Sequence, residues 1–204
     1  SSEWQEREIH ILGYGIDYEN QYLLNKLEFL REERRLRLER ILAKLNEYGI
    51  ILAKDKLKAG GANAIGRAHI ARLMVEEGYA ETVTEVFSAW LSRGGKAYVP
   101  RSKLEPGEAI SLIQRAGGVA VMAHPGLAQA DSYIPQMIEM GLGGLEIHRP
   151  NHTLADVIHY EKLADQYGIF KTGGSDCHSD RLGTITTPSA IVKAILTKEK
   201  RMKS

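Results

Sequence analysis

Val119-Ala120-Val121-Met122-Ala123-His124-Pro125 is a short apolar run that delivers an imidazole and a proline at its end. It reads as a buried strand. Leu145-Glu146-Ile147-His148 and Phe170-Lys171-Thr172-Gly173 repeat the theme. Around these strands, Glu108–Ala116, Tyr133–Met140, Leu154–Tyr167 and Ser189–Leu196 read as helices. Short apolar strands alternating with helices predict a parallel sheet covered on both faces. Residues from Glu105 onward are therefore expected to form an α/β barrel.

Working toward the N-terminus, Ile9-His10-Ile11-Leu12-Gly13-Tyr14 is rich in β-formers and reads as one more buried strand. The stretch between is helical. Leu38, Ile41, Leu42 and Leu45 recur at helical spacing, and Gly49 supplies a stop just after Tyr48. Arg31 to Arg40 is dense in Arg and Glu, with Glu33 and Arg37 four residues apart. Balanced signs make this a solvated helix face rather than a phosphate-seeking stripe. Two more helices are expected near Gly66–Glu77 and Thr82–Ser92. The expected organisation is a barrel built from 1–16 and 102–204, interrupted by a helical insertion, 17–101.

Length and composition set bounds. A chain of 204 residues suits one domain with a small insertion. A net charge of +1 lacks the lopsided charge usual in a nucleic-acid binder. Cys177 is the single cysteine, so no intrachain disulfide forms, in keeping with a reducing cytosol. No run approaches the roughly 18 apolar residues of a membrane span. Ser1-Ser2-Glu3-Trp4 is no signal-peptide opening. The expectation is a cytoplasmic protein with no membrane association and no obligate protein partner.

In parallel α/β folds, chemistry gathers at the carboxyl ends of strands. Here those ends carry His124, then His148-Arg149-Pro150-Asn151-His152, then Gly173-Gly174-Ser175-Asp176-Cys177-His178, with His10 inside the first strand. Taken singly, His10 is an ordinary core residue and His124 an ordinary strand end. The two glycines before Asp176 let backbone approach a ligand closely, and alternation puts Asp176 and His178 on one side of an extended segment. Four such features in one chain suggest ligands for Zn²⁺, Mn²⁺ or Fe²⁺. Cys177 falls on the opposite side and reads as a packed residue; His159 reads as a surface residue.

Three segments, Glu8-Ile9-His10-Ile11-Leu12-Gly13-Tyr14, Ala123-His124-Pro125 and Gly174-Ser175-Asp176-Cys177-His178, resemble motifs of the PHP (polymerase and histidinol phosphatase) family. Gly66-Arg67-Ala68-His69-Ile70-Ala71 and Ala97-Tyr98-Val99-Pro100-Arg101 look like the helical insertion of one branch. That branch holds nucleoside 3′,5′-bisphosphate phosphatases and 5′→3′ exoribonucleases of short RNA. The resemblance implies a distorted (β/α)7 barrel, here lacking its first strands, with up to three divalent metal ions. His10 and His124 would bind one ion, Asp176 a second and His178 a third. Metal-activated water would do the hydrolysis, with no catalytic residue beyond the ligands. Arg67, His69, Arg101, Arg149 and His152 are the candidate substrate-binding residues, with the insertion as a lid. The family's N-terminal His-x-His and bridging Glu would precede Ser1, so the 204 residues alone are expected to be nearly inactive. Two other readings stand beside this one. One is a histidinol-phosphatase-like or amidohydrolase-type enzyme; the other is a non-catalytic module that binds RNA or a partner through an incomplete site.

Overall fold

The computed structural model describes residues 2–4, 7–58, 65–101, 104–129 and 131–176, with 185, 187, 189, 191–194 and 197 beyond them. The chain divides into two compact units, residues 26–102 and residues 1–25 with 103–204. Among the described residues no helix is long and apolar enough to cross a membrane.

The 26–102 unit is helical. Its elements are α1 (Gln21–Glu47, which begins in the other unit), α2 (Lys54–Lys58), α3 (Arg67–Glu76) and α4 (Val83–Val86), which runs into a π-helical turn at Phe87–Leu91. Ile41 and Leu45 of α1 are buried with Ile70 and Met74 of α3, Val86 and Leu91. Leu38 and Leu42 pack partly buried against that core. The stop of α1 follows from Gly49, whose φ of +77° is costly for a side chain. It lets the Ile50 N–H turn back to Leu45 O (3.0 Å) and satisfy a terminal carbonyl. The Arg and Glu run is laced by exposed pairs, Arg31 to Glu28 and Arg35 to both Glu32 and Glu39. Arg37 turns inward instead, and its Nε donates to Val99 O (2.9 Å).

The other unit carries two sheets. β1 (Ser2–Trp4) pairs antiparallel with β2 (Arg7–Ile9). β3 (Ile11–Tyr14), β4 (Val119–Met122), β5 (Gly144–His148) and β6 (Phe170–Gly173) form a four-stranded sheet in the order β3-β4-β5-β6. β3 is antiparallel to β4, whereas β4, β5 and β6 are mutually parallel. Around them lie α5 (Pro106–Arg115), α6 (Pro125–Ala128), α7 (Ile134–Glu139) and α8 (Leu154–Tyr167).

Strand alternation sorts the sheet residues onto two faces. Ala120, Met122, Leu145 and Ile147 share a core with Ile110 of α5, Ile134 of α7 and Tyr160 of α8. Val119 and Val121 pack instead with Leu12, Tyr14 and Phe170. Farther along that second face toward the strand ends, β5 carries Glu146, in register with Thr172 of β6, and both are buried. The second face is thus apolar at one end and polar at the other.

Three expectations need correction. Among the described residues the distorted (β/α)7 barrel is not present: the four-stranded sheet is open, ending at β3 on one side and at β6 on the other. Closing a sheet takes strands enough to complete the circle, about eight for a barrel whose side chains fill its interior. Nor is the sheet wholly parallel, because β3 runs against β4. The strand expected over residues 9–14 also breaks at His10, where β2 leaves for β1 and β3 joins β4.

Candidate functional site

That break places His10. Its carbonyl accepts the Ala123 N–H (2.9 Å), which pins it beside the end of β4, where His124 follows. His10 Nδ1 and His124 Nε2 face each other at 2.9 Å, with ring centroids 4.7 Å apart and planes at 73°. His124 is buried and adopts a left-handed backbone, φ +35°, ahead of Pro125. The proline disfavours the right-handed helical region at the residue before it, and left-handed backbone is uncommon for a side-chain-bearing residue. Glu8 Oε1 lies 3.3 Å from His10 Nε2. A carboxylate there favours a proton on Nε2 and leaves the Nδ1 lone pair aimed at His124. Among the described residues, buried His124 Nδ1 has no hydrogen-bond partner.

These nitrogens fit a shared divalent ion. Two cis ligands with bonds of about 2.0–2.1 Å stand about 2.9–3.4 Å apart, which includes the observed 2.9 Å. Among the described residues, however, no three His, Cys, Asp or Glu side chains are grouped as a metal site. His178 and Cys177 lie outside the described residues.

Beyond His124, the polar groups form a connected series. Glu146 Oε2 accepts the His124 N–H at 3.2 Å. Burial first, then the Asp176 charge, pushes the Glu146 carboxyl above its ordinary range. Asp176, also left-handed at φ +47°, accepts from Arg149 Nη2 at 3.0 Å. The Arg149 side chain is only 1% exposed, and among the described residues its Nε and Nη1 have no hydrogen-bond partner. Asp176 and Arg149 are therefore joined to each other, and Glu146 lies within electrostatic reach of Asp176.

His152 donates from Nδ1 to Ile147 O (2.7 Å) and stacks on Tyr160, 5.6 Å between centroids. In the neutral ring this leaves Nε2 as an acceptor; it is buried beside Gly126, without a partner among the described residues. Tyr160 and His159 both hydrogen-bond to Asp131, at 2.7 and 2.8 Å. His148 Nε2 stands 3.7 Å from Glu161.

In the helical unit, Arg67 Nη1 donates to Leu91 O (3.0 Å) and its guanidinium lies 5.8 Å from the Phe87 ring centroid. His69 Nδ1 accepts the Gly66 N–H (3.1 Å), a cap on the first turn of α3. Arg101 is exposed. Burial, and then repulsion from Arg67 with a smaller part from Arg101, holds Arg37 below its ordinary value, partly offset by Tyr98. Arg37 thus joins Arg67 and Arg101 in one cationic neighbourhood. Sequence reading passed over Arg37 because it sits inside the Arg and Glu run. It also passed over Glu146, for which the signal was a lone carboxylate in an apolar strand.

No family model matches the sequence. The chain is 31% identical over 186 residues to the 3′,5′-nucleoside bisphosphate phosphatase of Chromobacterium violaceum, covering 88% of this chain and 65% of that protein. It is 30% identical over 186 residues to the 5′-3′ exoribonuclease Rnm of Escherichia coli, covering 87% and 63%. It is 32% identical over 177 residues to the phosphoribosyl 1,2-cyclic phosphate 1,2-diphosphodiesterase of Eggerthella lenta, covering 84% and 67%. The chain thus spans a little under two thirds of the length of the first two relatives. Among solved structures, a metal-dependent phosphoesterase from Bifidobacterium adolescentis matches with a TM-score of 0.77 at 27% identity, covering 97% of this chain and 73% of that one. An amidohydrolase from Chromobacterium violaceum, with bound sulfate and no metal, matches with a TM-score of 0.69 at 28% identity, covering 95% and 74%.

Proposed function

We propose that this chain, which belongs to the superfamily of metal-dependent phosphoesterases and exoribonucleases, hydrolyses phosphate esters of nucleotides or short RNA. The observation that carries the reading is the facing pair His10 Nδ1 and His124 Nε2, 2.9 Å apart at the end of β4. A divalent ion held there supplies Lewis-acid activation of water and neutralises phosphate charge. His10 and His124 would be the ligands of that ion, with Asp176 assigned to a second ion and His178 to a third.

Phosphate recognition falls to cations. Arg67, Arg101 and Arg37 form a neighbourhood of like charge, which an anion would relieve. His69 and His152 remain candidates for the same task. Arg149 is closed off from solvent and paired with Asp176, so its assigned part is to hold that carboxylate.

Two imidazoles are fewer than the three protein ligands usual in a hydrolytic site with an open position. Two imidazoles by themselves accordingly hold a divalent ion weakly, and stoichiometric metal calls for further ligands. The test is metal content, together with hydrolysis of a nucleoside 3′,5′-bisphosphate in Mn²⁺, for the full-length protein and its His124→Ala variant. Stoichiometric metal and turnover, both lost in the variant, are the expected results. Full activity in His124→Ala would remove the pair from the site, and a metal-free, inactive wild type would favour a binding module.

A further inference from the structure

The residue at the centre of the polar series is one that binding of substrate or metal does not call for. Glu146 sits on β5 between the ends of β4 and β6 and is 5% exposed. A carboxylate on a strand covered on both faces is costly unless it is used. Two contacts define its use. Oε2 accepts the backbone N–H of His124, 22 residues away in sequence and two elements back. Oε1 lies against Gly174, where an added Cβ would overlap it. Gly174 has no left-handed requirement of its own, so its lack of a side chain answers to this carboxylate.

Both neighbours lead directly into left-handed residues that sequence and geometry put forward as ligands. His124 is one, at φ +35°, and Asp176, two residues after Gly174, is the other, at φ +47°. Such a backbone costs of order 1–3 kcal/mol at a residue with a side chain and persists only where its surroundings over-determine it. At His124, the Glu146 hydrogen bond supplies that determination. At Asp176, the pairing with Arg149 does the same work from the other side.

We infer that Glu146 is a positioning residue. Its oxygens hold the His124 amide in the left-handed turn and seat the Gly174 backbone, fixing how far the His124 imidazole stands from Asp176. It acts as a hydrogen-bond acceptor of the right length and not as a ligand. The inference rests on the proposed metal site for its functional consequence, but the amide contact stands by itself.

The test uses Glu146→Gln, which keeps an acceptor oxygen at the same reach, Glu146→Ala, which removes it, and Gly174→Ala, which displaces it. Two quantities are read on the full-length protein: hydrogen exchange of the His124 amide by NMR, and Mn²⁺ affinity by electron paramagnetic resonance. In Glu146→Gln, exchange and affinity are expected to stay within about threefold of wild type. In Glu146→Ala and Gly174→Ala, the His124 amide is expected to exchange at least tenfold faster, and Mn²⁺ to bind about 10- to 100-fold more weakly, the usual effect of losing a ligand's support. Equal damage from Glu146→Gln and Glu146→Ala would overturn the inference by showing that charge is needed. Unchanged exchange in both Glu146→Ala and Gly174→Ala would overturn it too. If Glu146→Ala fails to fold, Gly174→Ala against Glu146→Gln decides the matter. A wild type that binds no Mn²⁺ would count against the proposed function, while the amide exchange would still judge the role of Glu146.

Discussion

Replacing Arg149 by methionine should leave the protein as stable as before, or more so, while removing its function. The side chain is 1% exposed, and its guanidinium pairs with Asp176 at 3.0 Å. That charge-assisted bond contributes about 1.5–3 kcal/mol, and Asp176, at 32% side-chain exposure, stays partly hydrated without it. Against this, Nε and Nη1 are buried with no partner among the described residues. Each unmatched donor costs about 1–3 kcal/mol, and methionine removes both. The balance lies between about 1 kcal/mol lost and about 4.5 kcal/mol gained, the partial hydration of Asp176 separating this case from the removal of one member of a fully buried pair. Urea denaturation of the metal-free protein, followed by far-ultraviolet circular dichroism, measures it. Mn²⁺ affinity and turnover should fall together, because Asp176 loses its anchor. A destabilisation above about 3 kcal/mol would refute the reasoning by showing that all the guanidinium donors are matched in solution.

Other outcomes follow from the same geometry. Leu145→Ala, at a position 0% exposed in the sheet core, should cost about 2–5 kcal/mol by denaturant titration. The Glu146 carboxyl, raised above 4.5 by burial and by Asp176, favours its protonated form in the folded state. Its contribution is therefore present below pH 4.5 and lost as pH rises through the folded value, so metal-free Glu146→Gln should gain stability over wild type across that window; the opposite trend would contradict the burial argument. Arg101→Ala should lower kcat/KM on a nucleotide substrate while leaving bound metal unchanged, and an unchanged kcat/KM would end its assignment to phosphate.

How much of this could be read beforehand depended on whether the signal was local. α8 runs over Leu154–Tyr167 as expected, because Thr153 and Asp156 cap its start and Gly168, at φ +62°, ends it. α5 begins two residues earlier than expected, at Pro106, since a proline is accommodated in a first turn. The sheet's openness and the reversal of β3 were not legible, because edges and strand direction are set by pairing across long stretches of chain. The juxtaposition of His10 and His124 was suggested by motif order, and the structure explains it through the His10 carbonyl bound to Ala123. Glu146 was legible as a lone carboxylate in a strand expected to be covered on both faces, and the structure adds the partner, the His124 amide, which sequence spacing does not show.

The central claim is that His10 and His124 jointly hold a catalytic divalent ion. It is tested most directly by titrating Mn²⁺ into the full-length protein and its His10→Ala and His124→Ala variants, with nucleoside 3′,5′-bisphosphate hydrolysis measured at each point. The account predicts that wild type binds metal and turns over in proportion to occupancy. It predicts that each single variant loses most of both, and that the double variant is little worse than either, because the two imidazoles serve one ion. Independent, additive losses, or activity that survives removal of either imidazole, would contradict it.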